Sequence, residues 1–285
     1  MAIQGLRILT RSNLGSPNYQ VLQDTYGLAH RTTLETSTLG RGEAVRYGIL
    51  GDIHGNLEAL ETVVAGLEKE GVDHFISVGD IVGYGADPSA CIKVVQDLDA
   101  TVVAGNHDWA AIGKLDASFF NVYAKEAVDW TASVLSKKEK EWIDELPLIE
   151  VVNEEITVGH ATISEPERFN YIQTYYDAAR SINEMTTPVA VLGHSHVPLA
   201  FLMSDSLRLS VATKIDLTKT AKALINVGSI GQPRDENAKA AYGLYDSETK
   251  MYRLKRARYD VRTTCSKIRD AGLPQILAER LKYGR

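Results

Sequence analysis

The chain has 285 residues, 44% of them apolar and 24% charged, an ordinary globular balance and enough length for one large α/β domain or two small ones. A net charge of −6 removes any general attraction to nucleic acid or an anionic membrane. Only Cys91 and Cys265 are present, with no CxxC spacing, which excludes a disulfide framework; with no signal-peptide core and no membrane-length apolar run, a soluble cytoplasmic protein is expected.

Residues 1–43 are rich in Thr, Ser, Gly and Asn, with weak periodicity and one short strand-like stretch, Leu6 to Thr10. They read as an extension without chemistry, poorly ordered, packed outside the domain or used in a homo-oligomer contact, and His30 within them is not expected to bind a metal. From Arg46 an α/β rhythm begins. A strand over 46–51 leads into a helix over 56–70, with Leu57, Leu60, Val63, Val64 and Leu67 at helical spacing and Gly71 as its stop. A strand over 74–79, a glycine-rich loop Gly83 to Pro88, a helix over 88–97 and a strand over 101–104 follow. The run from Ala110 to Lys140 reads as one helix, with Trp109, Phe119, Phe120, Tyr123 and Trp130 as core and capping residues.

After Pro147 come strands at 149–152 and 155–159, a helix near 175–185 and a strand at 188–193. The second half then turns to antiparallel strands near 199–203, 207–212, 223–227, 241–246 and 251–258. The tail over 261–285 is a helical cap broken by Gly272 and Pro274. No linker interrupts 44–285, so a single domain is expected: α/β, with two packed mixed sheets flanked by helices in four layers.

One pattern recurs along this frame. An apolar strand runs into a glycine and then into a residue able to bind metal: Gly51-Asp52-Ile53-His54, Gly79-Asp80, Gly105-Asn106-His107-Asp108, Gly159-His160 and Gly193-His194-Ser195-His196. Five of the seven histidines sit in these places. Carboxylate, imidazole and amide oxygens suit borderline-to-hard divalent metals, and no thiolate is among them. Asp52, His54, Asp80, Asn106, His160, His194 and His196 are too many for one ion but suit two that share a carboxylate, the arrangement used for displacement at phosphorus.

These blocks resemble those of the calcineurin-like metallophosphoesterases (D-x-H, G-D, G-N-H-D/E, a lone H, and G-H-x-H), in order, over about 46–285. Gly51 to Asn56, Gly79 to Gly85 and Asn226 to Arg234 are similar to the small bacterial and archaeal branch. The resemblance implies a dinuclear site at the strand ends, with Asp52, His54 and His196 on one metal, Asn106, His160 and His194 on the other, and Asp80 bridging. It further implies a bridging hydroxide as nucleophile, His107 facing the phosphate as charge stabiliser or general acid, and Asp108 orienting His107. Mn²⁺ is the expected metal, with Fe, Co²⁺, Ni²⁺ and Zn²⁺ as alternatives. The arginines that protein phosphatases of this superfamily carry beside the second and third blocks are missing. Arg234 is the candidate replacement for phosphate binding, with a surface salt bridge as its alternative, and Asn56 and Tyr84 are candidate pocket residues, with packing or capping as theirs.

The expected substrate is a small phosphodiester, because few positive charges greet a dianionic monoester. Phosphomonoesters and nucleoside polyphosphates are the alternatives. A nuclease is disfavoured by the absence of a Lys/Arg stripe, and a non-catalytic binding protein by the complete ligand set.

Overall fold

The computed structural model describes residues 44–285; the strand-like stretch at Leu6 to Thr10, the extension and His30 lie outside the described residues. In chain order the strands are β1 (Arg46–Leu50), β2 (His74–Ser77), β3 (Thr101–Val102), β4 (Ile149–Val152), β5 (Ile156–Gly159) and β6 (Val189–Leu192). Then come β7 (Leu199–Met203), β8 (Leu207–Ser210), β9 (Lys214–Asp216), β10 (Lys222–Asn226), β11 (Ala240–Asp246) and β12 (Met251–Ala257). The α-helices are α1 (Leu57–Lys69), α2 (Pro88–Asp97), α3 (Asn106–Ala111), α4 (Val122–Val134), α5 (Lys137–Glu145), α6 (Tyr175–Glu184), α7 (Val261–Asp270) and α8 (Gln275–Leu281).

The strands form two six-stranded sheets, β3-β2-β1-β11-β12-β9 and β4-β5-β6-β10-β7-β8. In the first, β1, β2 and β3 run parallel; in the second, β5, β6 and β10 do. The remaining pairs are antiparallel, so both sheets are mixed.

Alternation along each strand builds the layers. Tyr47 and Ile49 of β1 point inward with Ile76 to meet Val158, Val189, Val191 and Ile225 of the opposite sheet. Leu50, one residue on, faces outward among Leu60, Val63 and Leu67 of α1 and Ile92 and Val95 of α2. On the other sheet Ala190, Leu192 and Leu224 face outward onto Ala178 and Ile182 of α6. The central strands β1, β5, β6 and β11 are therefore covered on both faces, which is why these segments read as nearly continuous apolar runs. The order of layers is helix, sheet, sheet, helix.

Two expectations fail. The run from Ala110 to Lys140 is not one helix but α3, a 3₁₀ turn at Ala117–Phe119, α4 and the start of α5. Polar caps cut it: Asp116 accepts from Ser118 N, Asn121 from Ala124 N and Ser136 from Glu139 N, and such caps outweigh a continuing apolar periodicity. The short edge strand β9 went unrecognised because only Ile215 of its three residues is buried.

Candidate metal centre

The C-terminal ends of the parallel strands meet at the seam between the sheets. Sheet one delivers Asp52 and His54 after β1, Asp80 after β2 and Asn106 after β3. Sheet two delivers His160 after β5, and His194 and His196 after β6. All seven are buried. Ligand atoms of Asp52, His54, Asp80 and His196 all lie within 4.8 Å of one another, and so do those of Asp80, His160 and His194. Asp80 belongs to both groups.

The loops reach this geometry through an uncommon backbone. Asp52, His54, Asp80, His194 and His196 all have positive φ, between 44° and 68°, a left-handed conformation that side-chain-bearing residues adopt rarely and at some strain. It turns successive side chains toward one point. The neighbouring glycines permit the approach: a Cβ on Gly105 would lie 2.1 Å from Asp80 Oδ1, and one on Gly193 2.5 Å from Asp52 Oδ2. Cross-loop hydrogen bonds then hold the bends, from His194 N to Asp52 Oδ1 (2.8 Å), His107 N to Asp80 Oδ1 (2.8 Å) and Ser229 Oγ to Asp52 O (2.8 Å).

The donor set asks for cations. Nδ1 of His54, His160 and His196 lies 3.0, 2.8 and 2.6 Å from the carbonyls of Val82, Val78 and Gln232. A carbonyl only accepts, so each Nδ1 carries the proton and each Nε2 presents a lone pair to the site. The Nε2 atoms of His54 and His196 face each other at 3.0 Å. Nε2 of His160 lies 3.1 Å from Asn106 Oδ1 and 3.3 Å from Asp80 Oδ2. Asp52 Oδ2 and His194 Nε2 are buried with no hydrogen-bond partner. Converging acceptors without donors are unfavourable in a buried site unless positive charge lies among them. Nitrogen and oxygen donors of this kind fit borderline divalent ions.

Electrostatics agree. Burial holds His54 and His196 well below the ordinary histidine value and takes His194 down to about 3. Burial pushes Asp52 up to about 7, with His160 pulling it down and Asp80 pushing it up. Asp80 stays far below the usual carboxylate range despite burial, held there by His160, His107 and His54. His160 goes the other way: against burial, Asp80 and Asp52 raise it to about 9. The cluster draws positive charge to its centre, and a divalent ion supplies that charge without protonating a ligand.

Around the ligands, the His107 ring packs against Tyr84 (centroids 4.5 Å), His54 (4.8 Å) and Phe120 (4.9 Å), and burial lowers it to about 4. Tyr84 also meets the His54 ring at 4.6 Å. Arg234 donates to Tyr84 Oη (3.2 Å) and Gln232 Oε1 (2.9 Å) and lies over the Tyr84 ring. Among the described residues it has no carboxylate partner. Its charge contributes to lowering His54, His107, His194 and His196.

Two residues do not sit as expected. Asp108 does not orient His107: its carboxylate accepts from the backbone N–H groups of Ile81 (2.9 Å), Val82 (3.1 Å) and Gly105 (2.9 Å), while His107 Nδ1 is buried without a partner. As a first-turn residue of α3 it points back along the helix and ties the Asp80 loop to the Asn106 loop. Asn56 is likewise committed internally, capping α1 at Ala59 N and donating to Gly231 O (2.9 Å). Sequence reasoning missed Tyr171, whose ring stacks on His194 at 4.0 Å and 24°. It also placed Phe119 in a core or cap, whereas that side chain is 89% exposed. Tyr171, Phe119, Phe120, Tyr84, Asn106 and His107 line a cavity of about 420 Å³ that opens onto the cluster.

Seven such side chains at the facing ends of two mixed sheets suit a divalent metal site, and the family match below makes the chain a metal-dependent hydrolase of phosphoric esters. The chain belongs to the calcineurin-like phosphoesterase family, whose model matches residues 45–217. It is 36% identical over 241 residues to an uncharacterized protein of Methanocaldococcus jannaschii, covering 83% of this chain and 97% of that one. Among solved structures it is similar to a metallophosphoesterase from Sphaerobacter thermophilus, with TM-score 0.76 and 33% identity over 85% of this chain and all (100%) of that one. A hypothetical protein from Pyrococcus horikoshii shares the fold at TM-score 0.69 and 19% identity, over 85% of this chain and 99% of that one.

Proposed function

We propose that this chain hydrolyses small phosphodiesters with two divalent ions, Mn²⁺ first among them. Asp52, His54 and His196 would hold one ion and Asn106, His160 and His194 the other, with Asp80 between the two groups. The observation that carries this is the convergence of two ligand groups on Asp80 with imidazole lone pairs facing inward. When bound, such ions supply Lewis acidity to the phosphoryl oxygens and to water.

The chain's own residues do the rest. The Nδ1–H to carbonyl bonds fix the three histidine rings, so the ligands need little reorganisation. His107, neutral through burial, offers a ring N–H to a phosphoryl oxygen. Arg234, propped by Tyr84 and Gln232, brings a planar cation to the same group. Arg168, the arginine that lines the cavity itself, pairs with Glu165 at 3.1 Å, whereas Arg234 approaches from beside Tyr84 with no acid against it among the described residues. One unmatched guanidinium balances the single charge of a diester better than the double charge of a monoester.

No helix among the described residues is long and apolar enough to cross a membrane, and both cysteines are unpaired, which supports a place in the cytoplasm. The test is turnover of Mn²⁺-loaded protein on matched aryl phosphate mono- and diesters. Faster diester cleavage is expected. Faster monoester cleavage would make the protein a phosphatase, and silence on both with two ions bound would leave a binding role.

A further inference from the structure

The cavity on the cluster is built unevenly. Its floor carries Asn106, His107 and His194, where the reacting phosphorus would sit. Its walls are aromatic: Phe120 against the His107 ring at 4.9 Å, Tyr171 flat over His194 at 4.0 Å, and buried Phe169. Phe119 stands on the rim, 89% exposed and in no core cluster. It lies in the 3₁₀ turn that the caps Asp116 and Asn121 fix, so its position is held by backbone geometry rather than by packing.

We infer that this aromatic slot receives the retained arm of the diester, and that this arm is a planar heteroaromatic group of nucleoside size. The inference rests on the phosphodiesterase reading above and names its substrate class. The volume of about 420 Å³ holds a phosphoryl group and one such arm, in the usual range of small-ligand sites. Aromatic faces bind a base by stacking and tolerate any base. A polyol arm such as glycerol would meet Asp116, Asn121 and Arg168 but leave the faces of Phe119, Phe120 and Tyr171 uncovered. An alkyl chain would cover the rings but leave Asp116, Asn121 and Arg168 of the same lining without partners. The polar edge of a base has a partner in Asn121, which spends its amide oxygen capping α4 at Ala124 N and keeps its NH₂ group to donate.

The test holds the chemistry constant and varies the arm. Thymidine 5′-(p-nitrophenyl) phosphate and methyl p-nitrophenyl phosphate release the same phenolate, so the ratio of their kcat/KM values reports recognition of the retained arm. With the Mn²⁺-loaded full chain the nucleoside ester should be favoured at least tenfold. Phe119→Ser should cut that ratio at least fivefold with an unchanged melting temperature, since the ring packs on nothing, and Phe119→Trp should restore it. A ratio near one, or one that Phe119→Ser does not move, overturns the aromatic slot while leaving a phosphodiesterase. Cleavage of neither ester with two ions bound overturns the phosphodiesterase reading, and the slot with it.

Discussion

Gly193→Ala isolates the close packing beneath the metal cluster. Gly193 is not left-handed, so alanine fits its backbone and the effect is steric alone. The new Cβ would stand 2.5 Å from Asp52 Oδ2 and 2.9 Å from Val78 Cγ2, where ordinary contact begins at 3.4 Å. Asp52 is buried and tied by Oδ1 to His194 N, so the ligand oxygen Oδ2 must move by roughly 0.9 Å or the β6 end must lift. Metal–oxygen bonds tolerate about 0.2 Å, so Asp52 drops out of reach. Overpacking of this kind costs about 1–3 kcal/mol of stability, and displacement of a reacting geometry by about 1 Å costs on the order of 100-fold in rate. The variant should fold, melt a few degrees lower, retain about one ion by elemental analysis, and lose at least two orders of magnitude in diester turnover. Two ions bound with wild-type turnover would refute the placement of Asp52 at the centre.

Asp80→Asn keeps the acceptor for His107 N but removes the shared charge; it should stay folded, bind fewer than two ions and lose activity by orders of magnitude, and retained turnover with two ions would remove Asp80 from its shared position. Asp108→Asn sets an amide donor against a backbone N–H in a buried clamp, which should lower stability by about 2 kcal/mol, roughly 4–8 °C in Tm. The shape of its pH–rate profile should not change, and a shifted profile would revive a link from Asp108 to His107. Histidine ligands bind metal only when neutral, so ion content should fall as pH drops below about 6. Burial lowers His54, His194 and His196 in the folded chain, so the unfolded chain takes protons first and acid also weakens the metal-free fold from about pH 6.5 downward. Constant metal content to pH 4 would contradict the histidine assignments.

The strand ends were readable because two independent signals coincide there. Ile49 and Val191 lie in apolar runs that announce buried strands, and a glycine followed by a carboxylate or imidazole announces a loop leaving the sheet for a purpose. Side-chain direction within those loops was not readable. Asp108 follows His107 by one residue, yet the first turn of α3 sends it to the backbone of Ile81 and Gly105. For Asn56 the sequence left pocket lining and capping both open, and the structure shows the cap. The breaks between α3, α4 and α5 rest on single residues, Asp116, Asn121 and Ser136, whose hydrogen bonds are too local to register in a periodicity. Phe119 and Tyr171 carry no ligand chemistry, and only three-dimensional exposure separates them from core aromatics.

The left-handed bends at Asp52, His54, Asp80, His194 and His196 carry an evolutionary consequence. Each holds on the order of 1 kcal/mol of strain that glycine would release, and each side chain adds buried charge or an unshared lone pair. The chain is therefore locally least comfortable where it is most useful. Selection for heat resistance alone would drift these positions toward glycine and leave a sturdier, inert sandwich. Exchanging any of them for glycine would therefore relieve backbone strain and remove a candidate metal donor in one step.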